Sequence, residues 1–175
     1  MALPSGYTQL GYLKATGTQY FNMFYQPKLF GRVECKFKFH TTGRQMLLGS
    51  WDSSSNLSYV IEKTETNNYN TKASGITQSG SVTTALNVDQ WYELDYNLNQ
   101  NYISIDGNII ATTSGTSTCT RAWYLFASND KDEGVYLKAN ASIQYLKLYD
   151  TTGILVHSYV PAYSEYVDAV FGLVC

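Results

Sequence analysis

Apolar and polar residues alternate along most of this chain, and helical spacing appears almost nowhere. Residues 32–40 show it most clearly: Val33, Cys35, Phe37 and Phe39 alternate with Arg32, Glu34, Lys36, Lys38 and His40. A period of two puts one face of a strand in a core and the other in water. Apolar or β-branched runs at 46–51 and 57–63 flank a polar turn cluster at 52–56 and predict a hairpin. Residues 91–97 alternate again, with Tyr92, Leu94 and Tyr96 opposite Trp91, Glu93 and Asp95. Runs at 102–106 and 108–113 meet at Asp106-Gly107, a pair suited to the positive backbone angles of a tight hairpin.

Further strands are predicted at 122–127, 135–138, 141–149 and 154–159. Residues 67–80 are polar and Gly/Thr-rich, which predicts one short edge strand and little core. The only helical expectation is a turn near 85–90. Both ends, 3–22 and 144–174, are rich in Tyr and poor in charge, and read as strands rather than frayed termini. About ten to twelve short strands without β-α-β alternation predict an all-β fold, an antiparallel two-sheet β-sandwich in one domain spanning 1–175.

Composition narrows the partners. Charged residues make up only 15% of the 175, and the formal net charge is −2. With the basic residues scattered singly there is no stripe to displace phosphate counterions, so nucleic acid is not expected as a partner. No apolar run reaches the roughly 18 residues of a membrane-spanning helix, and no membrane insertion is expected. Cys35, Cys119 and Cys175 lack metal-binding spacing and are expected to be reduced. Without a basic and apolar leader at the start, assembly inside a bacterial cytoplasm is expected. Asn56-Leu57-Ser58 and Asn140-Ala141-Ser142 match the glycosylation triplet, which is common by chance in so Asn- and Ser-rich a chain.

An ordered set of segments carries a resemblance. The opening GYTQLGYLKATGTQYFN, Arg32-Val33-Glu34, ISIDG at 103–107, YLFASN at 124–129 and the closing LKLYD, VHSYVPAY and VFGLV together resemble concanavalin A-like, laminin-G-like jelly-roll domains. Such domains occur in gut bacteriophage structural proteins and bacterial surface proteins. The resemblance covers nearly the whole chain. It implies a jelly roll whose N-terminal segment and last strand lie side by side, and a binding or structural module more often than an enzyme.

Glucanases with this sandwich carry an E-x-D-x-x-E strand, in which alternation sets the carboxyls on one face. Glu93 and Asp95 supply its first half, but Leu98 stands where the second Glu should fall, leaving no general acid. His40 and His157 lie near no nucleophile elbow, although a triad is recognised by geometry rather than sequence order. No catalytic residue is expected. In 129–134 the D-x-D-x-G pattern makes Asn129, Asp130 and Asp132 a weak calcium candidate, against the plainer account of a charged hairpin loop. Glycan binding needs exposed aromatic faces beside polar side chains; Trp51 with Asp52, Tyr69 among asparagines, and Trp91 with Glu93 are the candidates. Core or rim packing is the competing account for each.

The expectation is a non-enzymatic virion module without cofactor, displayed on a phage particle to adhere to host surface glycans. Its partners would be other virion proteins or copies of itself. The alternatives are a purely structural assembly module that binds no sugar, and a carbohydrate-binding domain on a bacterial cell surface. A degenerate glycosidase ranks below these and would need two carboxyls about 5–10 Å apart in a cleft.

Overall fold

The structure, a computed structural model, describes residues 3, 5–53, 56–66, 68–73, 75–79, 85–130, 134–164 and 171–174. Among them are seventeen strands and one turn of 3-10 helix, Pro27–Leu29. A ten-stranded sheet runs in the order β1 (Tyr7–Gln9), β16 (Leu155–Ser164), β15 (Asn140–Asp150), β4 (Phe30–Phe39), β9 (Tyr92–Asn97), β10 (Tyr102–Ile105), β11 (Asn108–Gly115), β8 (Ile76–Ser79). In addition β2 (Leu13–Thr16) pairs β15, and β17 (Phe171–Val174) pairs β16. A seven-stranded sheet runs β14 (Gly134–Tyr136), β13 (Ser128–Asp130), β5 (Gln45–Ser53), β12 (Tyr124–Leu125), β3 (Phe21–Asn22), with β6 (Asn56–Lys63) on β5 and β7 (Tyr69–Ala73) on β6. The pairing is antiparallel except where β13 runs parallel to β5. This is an all-β, two-sheet structure of the β-sandwich or jelly-roll kind.

The core lies between the sheets and follows from the alternation. Val33, Cys35, Phe37 and Phe39 of β4 are buried, as are Tyr92, Leu94 and Tyr96 of β9 and Ile143, Leu146 and Leu148 of β15. Leu47, Leu48, Ile61 and Leu125 belong to the same cluster from the other sheet. Trp123 and Phe30 meet at 5.0 Å, and Phe30 meets Tyr96 edge-on at 5.4 Å. Burying such side chains is worth about 1.5–3 kcal/mol each and drives the closure of the sandwich. Asp106 (φ 51°) and Gly107 (φ 78°) make the two-residue turn between β10 and β11, whose twist matches the strands.

Five expectations need correction. The strands exceed ten to twelve because β1, β2, β3, β12, β13, β14 and β17 are only two to four residues long, too short to show a period. The expected strand at 122–127 is broken by Phe126 at φ 64°. No helical turn forms at 85–90. There the Asp89 N–H donates to Phe39 O at 2.8 Å and the Asn87 N–H to the Tyr92 hydroxyl at 2.8 Å, so strand neighbours take the bonds a helix would need. Residues 67–80 hold two strands, β7 and β8, in different sheets, and Tyr69 is core. The two ends do meet, since β1 pairs β16 and β2 pairs β15. However, β17 pairs β16 rather than β1, and β16 lies between them.

Candidate functional site

The outer face of the seven-stranded sheet carries the site that Trp51 predicts. Trp51 of β5 is level with Asp130 of β13, and Ser128 is level with Tyr136 of β14. Side chains at paired positions share a face. The Trp51 and Tyr136 rings lie 6.4 Å apart at 45° and wall a groove of about 250 Å³. Arg44, Met46, Ser50, Ser128 and Leu137 complete it. Tyr136 is half-exposed and Trp51 partly so. The neighbouring Asp130 has a carboxyl oxygen that is shielded from solvent and makes no hydrogen bond.

Arg44 is fixed from below. Its Nε donates to Oε1 of Glu62, whose side chain is only 2% exposed, and Asn70 Nδ2 donates to Oε2 of the same carboxylate at 2.9 Å. A buried carboxylate needs such partners, and their effect is to hold a cation at the groove mouth. Arg44, Glu62, Asn70 and Tyr136 were not singled out from sequence. They lie on four strands or strand edges, and no local signal links them.

Tyr69 is 1% exposed and belongs to the core cluster, so it cannot stack on a sugar. Its β7 position lies opposite Lys63 of β6, which is itself buried. Lys63 Nζ donates to Thr41 O at 2.8 Å, and desolvation pushes its pKa down. The side chain of Asp52 and the whole of Asp132 lie outside the described residues. Asn129 is fully buried and its Nδ2 donates to Ala122 O at 2.9 Å, whereas Asp130 is one residue along the strand and points to the other face. Those two calcium candidates therefore do not converge. Among the described residues, no group of three or more His, Cys, Asp or Glu could hold a metal ion.

Glu93 and Asp95 do share the outer face of the ten-stranded sheet, but both are ion-paired. Arg32 Nε and Nη2 donate to the two Asp95 oxygens at 2.7 and 2.8 Å, and the Tyr102 hydroxyl donates to Oδ2 at 2.5 Å. Glu93 pairs with Lys36 at 3.1 Å. Next to them Glu34 accepts from Lys147 at 3.1 Å and from the Tyr149 hydroxyl at 3.0 Å. The face is a cross-strand ionic lattice, with Arg32 lying 5.2 Å from the Tyr149 ring.

His40 stands in an unexpected array. Its Nδ1 lies 2.5 Å from Asp89 Oδ1 and its Nε2 2.7 Å from Ser142 Oγ, the connectivity of a Ser-His-Asp triad. Its exposure is the reverse of a hydrolase's: Ser142 is wholly buried and Asp89 is in water. A nucleophile must reach substrate, and the Ser142 hydroxyl is covered; the bonds hold His40 between Ser142 and Asp89. Asn140 and Ser142 lie inside β15 between β2 and β4, which closes that glycosylation triplet. His157 stacks on Tyr159 at 5.5 Å. Cys35 and Cys119 are both buried, and desolvation pushes the Cys35 thiol pKa up; Cys175 is outside the described residues.

No protein-family model and no curated protein matches the chain.

Proposed function

We propose that the chain is a non-enzymatic module of the concanavalin A-like, laminin-G-like kind, carried on a bacteriophage particle as capsid decoration, head fibre or tail domain, and that it adheres to host surface glycans. The observation that carries this reading is the Trp51–Tyr136 groove with Arg44 at its mouth. Two aromatic faces offer stacking for sugar C–H edges, and the Arg44 guanidinium and the Tyr136 hydroxyl offer hydrogen bonds. Its volume is below the roughly 300–1,000 Å³ of drug-sized sites, which suits one terminal ring held weakly. Many copies on a particle would raise weak binding by about 10²–10⁴ through avidity. The ordered set of segments quoted above and the two-sheet sandwich support the family reading.

The test is a glycan array probed with multimerised protein. Binding that is lost in Trp51→Ala and Tyr136→Ala supports adhesion through this groove, and total silence sinks it.

A second reading, an assembly module that binds no sugar, is favoured by one observation. Phe24 is 85% exposed at φ 52°, held there by its N–H donating to Asn22 Oδ1 at 2.8 Å. A stable interface on that side would bury above roughly 1,000 Å². Light scattering of Phe24→Ser against the wild type decides whether copies associate through it.

A further inference from the structure

The outer face of the ten-stranded sheet carries a second aromatic cluster, where β2, β15 and β4 lie side by side. Ser142 of β15 is level with Lys14 of β2 on one side and Lys38 of β4 on the other, so both lysines rise from one face. Lys38 Nζ is 5.0 Å from the Trp91 ring and 6.0 Å from the Tyr12 ring. The two rings meet edge-on at 6.2 Å, and Tyr12 is 51% exposed. Tyr12 and Lys14 also border a neighbouring groove of about 580 Å³, walled besides by Leu10, Gly11, Leu13, Gln19 and Phe21 but not by Trp91 or Lys38.

Preorganisation comes from the array beneath. The Asp89 N–H is bound to Phe39 O, and the Asp89 carboxylate is bound to His40, which Ser142 holds from the other side. Trp91, two residues on, is thereby fixed over Lys38 before any ligand arrives, which lowers the ordering cost of binding. Two lysines against one carboxylate already engaged by His40 leave the cluster with a cationic surplus.

We propose that this cluster is a second carbohydrate site, selective for acidic glycans. The sugar ring packs on Tyr12 and Trp91, and its carboxylate is taken by Lys38 and Lys14. The inference rests on the glycan-binding reading but uses none of the residues of the Trp51 groove, so the two can fail separately.

Titration calorimetry with oligogalacturonate, and with a neutral oligogalactose of the same length, tests it. The acidic ligand should bind and the neutral one bind at least about tenfold more weakly. Lys38→Met, which keeps the aliphatic stem, and Trp91→Ala should each weaken the acidic ligand about tenfold, a loss of 1.4 kcal/mol. Trp51→Ala should leave it unchanged, and added salt should weaken it. Four outcomes overturn the proposal: no binding of the acidic ligand, equal binding of the neutral one, wild-type affinity in folded Lys38→Met, or loss in Trp51→Ala alone. Near-UV circular dichroism of Lys38→Met checks its fold, and this change at a partly exposed position keeps the test valid should Trp91→Ala misfold.

Discussion

Replacing Glu62 by Gln should destabilise the protein by about 2 kcal/mol. The Glu62 carboxylate is buried and both its oxygens are occupied, one by Arg44 Nε and the other by Asn70 Nδ2. Glutamine retains one acceptor and turns an NH₂ towards a donor. One hydrogen bond to a charged group, worth about 1.5–3 kcal/mol, is then lost. Breaking a fully buried ion pair costs about 3–5 kcal/mol, but the Arg44 side chain is 47% exposed, so water screens the pair and the lower range applies. With a urea slope of about 2 kcal/mol/M, the midpoint should fall by about 1 M. Arg44→Met should cost at least as much, because it strands the buried charge. The double variant should cost less than the sum of the two by about 1 kcal/mol or more. A Glu62→Gln midpoint within about 0.2 M of wild type, or strict additivity, would refute the argument that Glu62 anchors the groove cation.

Three other expectations can be checked with the same equipment. Tyr69→Ala should cost about 3–5 kcal/mol in urea unfolding, since the ring is core, while glycan binding per folded molecule stays at the wild-type level. Gly107→Ala meets no atom within 4 Å but must adopt φ +78°; about 1 kcal/mol of backbone strain should lower Tm by about 2–4 °C in a calorimetric scan. The Asp89 carboxyl is held below its ordinary 3.8, first by the hydrogen bond with His40 and then by the charges of His40, Lys38 and Lys14. A depressed carboxyl adds stability above its unfolded pKa and loses it as pH falls through the folded one. Asp89→Asn should therefore flatten the stability curve below about pH 4. The flattening will be partial, because Asp150 is also depressed, chiefly by its bond from Thr152.

The fold was legible wherever alternation ran for three or more cycles. β4 buries Val33, Cys35, Phe37 and Phe39 as their spacing requires, and the β10–β11 hairpin turns at Asp106-Gly107. Period two is a local property, so it survives without knowledge of partners. What escaped depended on partners. Phe126 takes a left-handed angle that no turn residue announces; its N–H donates to Leu47 O, and its own O accepts from the Ala139 N–H. Residues 85–90 have a composition that permits a helical turn, but Phe39 O and the Tyr92 hydroxyl take up backbone N–H groups there. Tertiary hydrogen bonds outweighed local preference in both places.

The site was less legible for the same reason. Trp51 and Tyr69 offered the same clue, an aromatic ring beside polar residues, and their strand registers decided opposite outcomes. Pairing with Asp130 turns Trp51 to the outer face, and pairing with Lys63 puts Tyr69 in the core. His40, Asp89 and Ser142 are separated by 49 and 102 residues along the chain, so only the sheet brings them together. Bond geometry alone would make them a hydrolase, since the distances meet that test. Exposure reverses the conclusion, because Ser142 is covered and Asp89 is not. A buried hydroxyl bonded to His40 holds the ring in place, the ring holds Asp89, and Asp89 holds the turn that precedes Trp91. A triad-like array on this sheet therefore braces the turn that precedes Trp91.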